Sequence, residues 1–314
     1  MNIIFAEPIG ISSDKMISFA NEMEGIGHSV KYFGTPVTDQ SDLINRAKDA
    51  DILVLSNQPL AATTINNFEM LKMISVAFTG VDHLPLDYCR ERKITVCNAA
   101  GYSTHAVAEL TISMAISLIR KTVLLDSNTR LGKTREGFLG GELYGKTFGI
   151  VGLGAIGTRV AQFANAFGCN VVAYNRTQRF IDGVKPVGLD ELFSTADIVS
   201  LHIPATSQTV GMVSHKLISS MKPSSILINT ARGSLVDYSA LSKALNDGLI
   251  AGAAIDVYEH EPPIESEHPL FKSPNTILLP HIGYATKEAI DRRTDIVLEN
   301  IRSWLKNIPQ NVIV

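Results

Sequence analysis

The stretch that most constrains this chain is Thr147 to Gly168, TFGIVGLGAIGTRVAQFANAFG. Phe148-Gly149-Ile150-Val151 has the length and β-branched content of a parallel strand covered on both faces. Gly152, Gly154 and Gly157 follow in G-x-G-x-x-G order. Each meets a different demand: Gly152 permits a tight turn, Gly154 lets backbone approach a pyrophosphate, and Gly157 lets a helix lie close on the strand. The helix opening at Ala155 and Ile156 would present free N–H groups to the phosphates. Such glycine turns also occur where no nucleotide binds, so context decides. Here an amphipathic helix (Val160, Phe163, Ala164, Phe167) ends at Gly168, and a second strand, Asn170 to Tyr174, follows it. That order of strand, turn, helix and strand predicts a dinucleotide-binding element.

A chain of 314 residues and 34.0 kDa is long for one core and comfortable for two. A net charge of -3 gives no bulk attraction to nucleic acid or acidic membranes, so neither is an expected partner. Cys89, Cys97 and Cys169 form no C-x-x-C pair, which indicates neither a disulfide framework nor a zinc site; no metal is expected. The opening MNIIFAEPIG lacks the basic region of a signal peptide, and no apolar run reaches the roughly 18 residues of a spanning helix. The expected location is the cytoplasm.

Strands and helices alternate from the start: Asn2 to Ala6, a helix from Ser13, strand His28 to Phe33, a helix near Asp42 to Ala47, and strand Asp51 to Ser56. Leu71 to Phe78 and Lys93 to Cys97 add strands to what reads as an α/β layer of its own. Ala106 to Lys121 is a helix apolar nearly all round, with Ser103 or Thr104 as N-cap, and must be buried on most sides, between domains or against a second copy. Leu125 to Gly145 is polar and glycine-rich and reads as an arm. After the glycine turn, further buried strands at Ile198 to Ile203, Ser225 to Asn229, Ile250 to Asp256 and Thr276 to Leu279 alternate with helices, as in a doubly wound parallel sheet. The last helix, Lys287 to Lys306, is expected to pack back on the N-terminal unit. The domains expected are therefore residues 1–98 with 286–314, and 99–285.

In an open parallel sheet, ligands lie beyond the carboxyl ends of the strands. There stand Thr230-Ala231-Arg232-Gly233, Asp256, Glu261 and Pro280-His281-Ile282-Gly283, which brings an arginine, a carboxylate and a histidine to one edge. With LINTARG (Leu227 to Gly233), AGAAIDVYEHEP (Ala251 to Pro262), LLPHIG (Leu278 to Gly283) and GIVGLGAIG (Gly149 to Gly157), the chain resembles the D-isomer-specific 2-hydroxyacid dehydrogenases. Gly80-Val81-Asp82, Val107-Ala108-Glu109 and LHIPATSQT (Leu201 to Thr209) extend the resemblance over almost the whole length. It implies an α/β fold of two doubly wound parallel-sheet domains, a Rossmann cofactor domain inserted in a flavodoxin-like substrate domain.

The resemblance implies that Arg232, Glu261 and His281 carry the reaction. A protonated imidazole can give its proton to a carbonyl oxygen as hydride reaches the carbonyl carbon. A carboxylate on the far ring nitrogen orients the ring and favours its cationic form, and an arginine fork grips a substrate carboxylate and polarises the ketone. The same resemblance places His202, Pro204, Thr209, Thr230, Ala231, Asp256 and Gly283 around the cofactor, with Asp256 meeting the nicotinamide carboxamide. It places backbone N–H groups near Thr79 and Gly80 on the substrate carboxylate, with Asn57 or Gln58 at the cleft mouth. Tyr284 stands where family members often have a small residue; it narrows the pocket or packs under a helix.

NAD-dependent Rossmann domains usually carry an acid about 20 residues beyond the glycines, on the ribose hydroxyls. Here the second strand ends Tyr174-Asn175-Arg176-Thr177, with no acid. Arg176 and the Thr177 hydroxyl suit a 2′-phosphate, with Arg179 close behind, so NADP is expected ahead of NAD; in the other reading Asn175 alone bonds the ribose hydroxyls of NAD. The leading expectation is reduction of a 2-keto acid to the D-2-hydroxy acid by a homodimer. The alternative is a non-catalytic NAD(H)-sensing module of the same fold, against which Arg232, Glu261 and His281 stand together. A formate or phosphonate oxidiser is a third reading, and Glu261 counts against it.

Overall fold

The computed structural model describes residues 1–177, 179–261 and 264–314, so Pro262, the last residue of the AGAAIDVYEHEP motif, lies outside them. The chain begins β1 (Asn2–Phe5), α1 (Ser13–Gly25), β2 (Ser29–Tyr32), α2 (Gln40–Ala47), β3 (Ile52–Leu55), α3 (Ala62–Ile65), β4 (Met73–Val76), α4 (Leu86–Glu91) and β5 (Thr95–Cys97). It continues through α5 (Thr104–Arg120), α6 (Thr122–Arg130), β6 (Thr147–Val151), α7 (Ala155–Ala166), β7 (Asn170–Tyr174), β8 (Val184–Pro186), α8 (Leu189–Thr195) and β9 (Ile198–Leu201). Last come α9 (His215–Ser220), β10 (Ile226–Asn229), α10 (Tyr238–Asn246), β11 (Gly252–Ile255), β12 (Thr276–Leu278) and α11 (Lys287–Leu305).

Two compact units result, one of Met1–Ser103 with Ala285–Val314 and one of Thr104–Tyr284. The first is a parallel sheet in the order β2-β1-β3-β4-β5, the flavodoxin-like order. Its inner strands β3 and β4 are buried at every residue, as apolar runs covered on both faces must be, whereas the edge strand β2 is largely exposed. Helix α11 belongs to this unit: Asp291 and Asp295 pair with Lys15 of α1, and Arg302 with Glu22.

The second unit is a seven-stranded parallel sheet, β12-β11-β10-β9-β6-β7-β8. Because side chains alternate along a strand, Ile226 and Ile228 feed one core with α5 and α7, while Leu227 feeds another with α8, α9 and α10. Two segments differ from expectation. The start of the supposed arm is helix α6, none of whose residues is buried. Strand β8, VKP, was not anticipated; it is short and carries a proline, which a sheet edge tolerates. In α5 the buried residues run from Ala106 to Ala115, and Ile116 to Ile119 are only partly covered.

The glycine turn sets how α7 meets β6. Gly152 adopts φ +101°, and a Cβ on Gly157 would stand 1.9 Å from the Gly152 carbonyl oxygen. Replacing Gly157 by alanine is expected to push α7 off the sheet. The cost should be about 1–3 kcal/mol, as for an overpacked core; a thermal melt should show a drop of roughly 2–4 °C per kcal/mol, and an unchanged melting temperature would contradict this packing.

Candidate active site

All strands of the second sheet are parallel, so β6, β7, β9, β10, β11 and β12 deliver their carboxyl ends to one edge. There the glycine turn is held from three directions. Gly152 N donates to the Tyr174 carbonyl at 2.8 Å, Leu153 N donates to Asn175 Oδ1 at 2.9 Å, and Arg179 Nη1 donates to the Leu153 carbonyl at 2.5 Å. Asn175 Nδ2 also donates to the Thr177 carbonyl. The Asn175 amide is thus engaged within the chain, while Arg176 and Thr177 beside it are exposed. Gly154, Ala155 and Ile156 open α7, and a Cβ on Gly154 would meet nothing within 4 Å, so backbone there is open to a phosphate.

His202 follows β9 directly beneath this turn: its carbonyl oxygen would lie 2.6 Å from a Cβ on Gly152, and its own Cβ 3.3 Å from one on Gly157. Its Nε2 lies 2.8 Å from Ser200 Oγ, and burial pushes the ring's pKa down to about 3. A neutral imidazole suits the floor of a site that receives phosphates only as a packing and hydrogen-bonding group; it is not an acid at neutral pH. In the loop that follows, Thr209 Oγ1 donates to the Pro204 carbonyl at 2.7 Å.

Beyond β10, the Thr230-Ala231-Arg232 turn is closed by Asn229, and Thr230 Oγ1 lies 3.2 Å from Thr111 Oγ1 of α5. Arg232 is half-buried and donates Nη1 to the Ala231 carbonyl at 2.8 Å. Beyond β11, the Asp256 side chain is 1% exposed, and its two oxygens accept from Ile282 N and Gly283 N, each at 2.8 Å. Burial raises its carboxyl above the ordinary range, and the two N–H groups pull it back. Those bonds hold the loop after β12, in which His281 takes the left-handed φ of +55°. Such a conformation is uncommon for a residue with a Cβ and persists where neighbours over-determine it.

The structure brings Glu261 and His281 together: Glu261 Oε1 lies 3.0 Å from His281 Nδ1. Tyr284 sets its ring edge-on to the imidazole, with centroids 5.7 Å apart and planes at 82°. Asn57, Thr79 and Gly80 belong to the other unit, where they follow β3 and β4; the Thr79 carbonyl accepts from Asn98 Nδ2 at 2.7 Å. Sequence reasoning passed over Asn229, Tyr238 and His268, which pack behind the Arg232 and Glu261 segments; their partners lie in other segments, so they carry no local signal. Among the described residues no group of three or more His, Cys, Asp and Glu could hold a metal ion, and no helix is long and apolar enough to cross a membrane. The three cysteines are buried, and the Cys97 thiol is pushed up to about 11.

Known proteins share the sequence pattern and the fold. Residues 112–283 match the family model described as D-isomer specific 2-hydroxyacid dehydrogenase, NAD binding domain. A glyoxylate reductase of Thermococcus litoralis is 37% identical over 86% of this chain and 86% of its own. A D-3-phosphoglycerate dehydrogenase of Methanocaldococcus jannaschii is 35% identical over all of this chain, which spans 59% of that protein. The solved structure of an acyclic imino acid reductase in complex with NADPH and D-Arg matches over the full length of both chains, with 31% identity and a TM-score of 0.90. A cradle of glycine backbone at a helix N-terminus, a carboxylate–imidazole pair at a strand end and these likenesses lead to one conclusion: the chain belongs to the D-isomer specific 2-hydroxyacid dehydrogenase family, NAD(P)-dependent oxidoreductases built of two parallel-sheet α/β domains.

Proposed function

We propose that this chain reduces a small 2-keto acid to the D-2-hydroxy acid, with NADP(H) preferred to NAD(H). Residues 104–284 would hold the cofactor and the unit of residues 1–103 and 285–314 the substrate, with Asn57, Thr79 and Gly80 on the substrate. The observation that carries the reading is the 3.0 Å contact between Glu261 Oε1 and His281 Nδ1. With Nδ1 so engaged, Nε2 is the nitrogen left to carry a proton to the substrate oxygen. Glu261 orients the ring, and Arg232 binds the substrate carboxylate and polarises the ketone. The residues fit a dinucleotide: Gly154, Ala155 and Ile156 for the pyrophosphate, Arg176 and Thr177 for a 2′-phosphate, and His202, Pro204, Thr209, Thr230, Ala231, Asp256 and Gly283 along the remaining edge. The cofactor supplies hydride in the reducing direction.

Three side chains carry the cofactor preference. Asn175 is uncharged and committed to Leu153 and Thr177, so no acid repels a 2′-phosphate, and the exposed Arg176 and the turn-bound Arg179 both supply positive charge. A homodimer is supported by α6, which buries nothing of its own and exposes Val123 at 56% and Leu124 at 40%. A cavity of about 480 Å³ lined by Leu118, Ile119, Val123, Leu124 and Ile277 lies beside it, within the same unit. The substrate class rests on the family.

With glyoxylate, hydroxypyruvate and pyruvate as substrates, oxidation of NADPH should be observed in at least one case. His281→Gln should lower kcat/KM about 10²–10⁴-fold, the range of general acid catalysis. Glu261→Gln should lower it less, because the carboxylate acts only through the ring; full activity of the histidine variant would remove the assignment. Arg176→Ala should raise KM for NADPH by about tenfold, the loss of one charged phosphate contact, and leave KM for NADH nearly unchanged, whereas equal effects on both would count against a 2′-phosphate site. Light scattering should give twice the 34.0 kDa chain mass, and a monomer would exclude the dimer.

A further inference from the structure

The turn carrying Arg232 and the segment carrying Glu261 leave neighbouring strands, β10 and β11, and two contacts join them. One is steric. A Cβ on Gly233 would stand 1.9 Å from the Tyr258 carbonyl carbon and 2.5 Å from Glu259 N, so the two backbones lie directly against each other. The other runs through buried polar side chains. Asn229 accepts from Ala231 N at 3.1 Å through Oδ1 and donates Nδ2 to the Arg232 carbonyl at 2.9 Å, which closes the turn. The same Nδ2 donates to Tyr238 Oη at 3.0 Å, and Tyr238 Oη donates to the Val257 carbonyl at 2.6 Å.

Tyr238 is 1% exposed, and burial raises its hydroxyl above the ordinary range, so it remains a donor. Its ring stands edge-on to His268, with centroids 5.3 Å apart. His268 in turn donates Nε2 to Glu259 Oε2 at 3.2 Å while Nδ1 accepts from Leu270 N, so the segment before Glu261 is also held from its far side. A phenylalanine would fill the space of Tyr238 without a hydroxyl to satisfy; what the tyrosine adds is direction.

We propose that Tyr238 is a positioning residue of the reaction: its hydroxyl, through Asn229 on one side and the Val257 carbonyl on the other, sets the Arg232 turn in register with the Glu261–His281 pair. The proposal rests on the roles given above to those three residues. It belongs to the geometry of the site rather than to its chemistry, because Tyr238 touches no reacting atom. A shift of a fraction of an ångström between guanidinium and imidazole is enough to lower turnover.

The test is Tyr238→Phe in the full chain, assayed with NADPH and the best keto acid of the panel, alone and combined with His281→Gln. The expected result is a fall in kcat of about tenfold with KM for NADPH within about twofold, and no further fall when the histidine is already replaced. A turnover equal to that of the parent overturns the proposal. So does a loss carried by the NADPH KM, or one of the same factor in both backgrounds, since either marks a general structural effect. An unimpaired Tyr238→Phe enzyme beside an impaired His281→Gln enzyme defeats the tie alone, whereas a fully active His281→Gln enzyme defeats the acid assignment on which it rests.

Discussion

Backbone packed directly on backbone is the constraint from which the rest of the second unit follows. Gly157 lies on the Gly152 carbonyl and Gly233 on the Tyr258–Glu259 peptide, and in both places a methyl group would fall within 2 Å of the neighbour. The first contact seats α7 on β6, which lets Val160, Ala161 and Ala164 enter the core shared with α5. It also leaves the first N–H groups of α7 at the strand end, where an anion is stabilised by the helix dipole. The second contact draws the turn after β10 onto the segment after β11. Interiors packed at crystal density transmit such placements to the surrounding side chains instead of absorbing them.

On that frame the polar groups of the edge have few alternatives. Asp256, desolvated, keeps its charge acceptable by taking two backbone N–H bonds, and those bonds fold the loop that turns His281 into a left-handed conformation. Glu261 then meets the imidazole through Nδ1. His202 takes the opposite course: it is half-buried and without a carboxylate, and its ring is desolvated into the neutral form and lies under the glycine turn. Two histidines on one sheet edge thus receive different chemistry from their surroundings, one set against a carboxylate and the other against a serine hydroxyl. A network in which each buried donor and acceptor has its partner permits one arrangement of the edge.

Much of this was legible in the residues. The parallel strands announce themselves as short apolar runs because both of their faces are covered, and the glycine spacing marks the one turn where strand, helix and ligand would crowd together. The candidates Arg232, Glu261 and His281 are visible because the three occur together just past strand ends, within the motifs that carry the family resemblance. Less legible were features whose cause lies elsewhere in the chain. The polar, glycine-rich composition of Leu125 to Gly145 reads as an arm, yet the stretch opens within helix α6, none of whose residues is buried, so no apolar stripe marks the helix. Strand β8, with three residues and a proline, exists because β7 offers it an edge. Asn175 reads as a ribose ligand from its place after β7, and only the fold shows that its amide also accepts from Leu153 N and donates to the Thr177 carbonyl.

The sequence by itself determined the alternation of strands and helices, the position of the glycine turn and the residue types available at each strand end, since these depend on local periodicity and on what a backbone of given composition can adopt. Only the tertiary structure decided which of those residues meet. Asp256 and Gly283, Glu261 and His281, Asn229, Tyr238 and Val257 are each separated by up to 28 residues along the chain and become neighbours through the pairing of β10, β11 and β12. Contact between side chains falls off within a few ångströms, so proximity is a property of the folded sheet, and no local pattern encodes it.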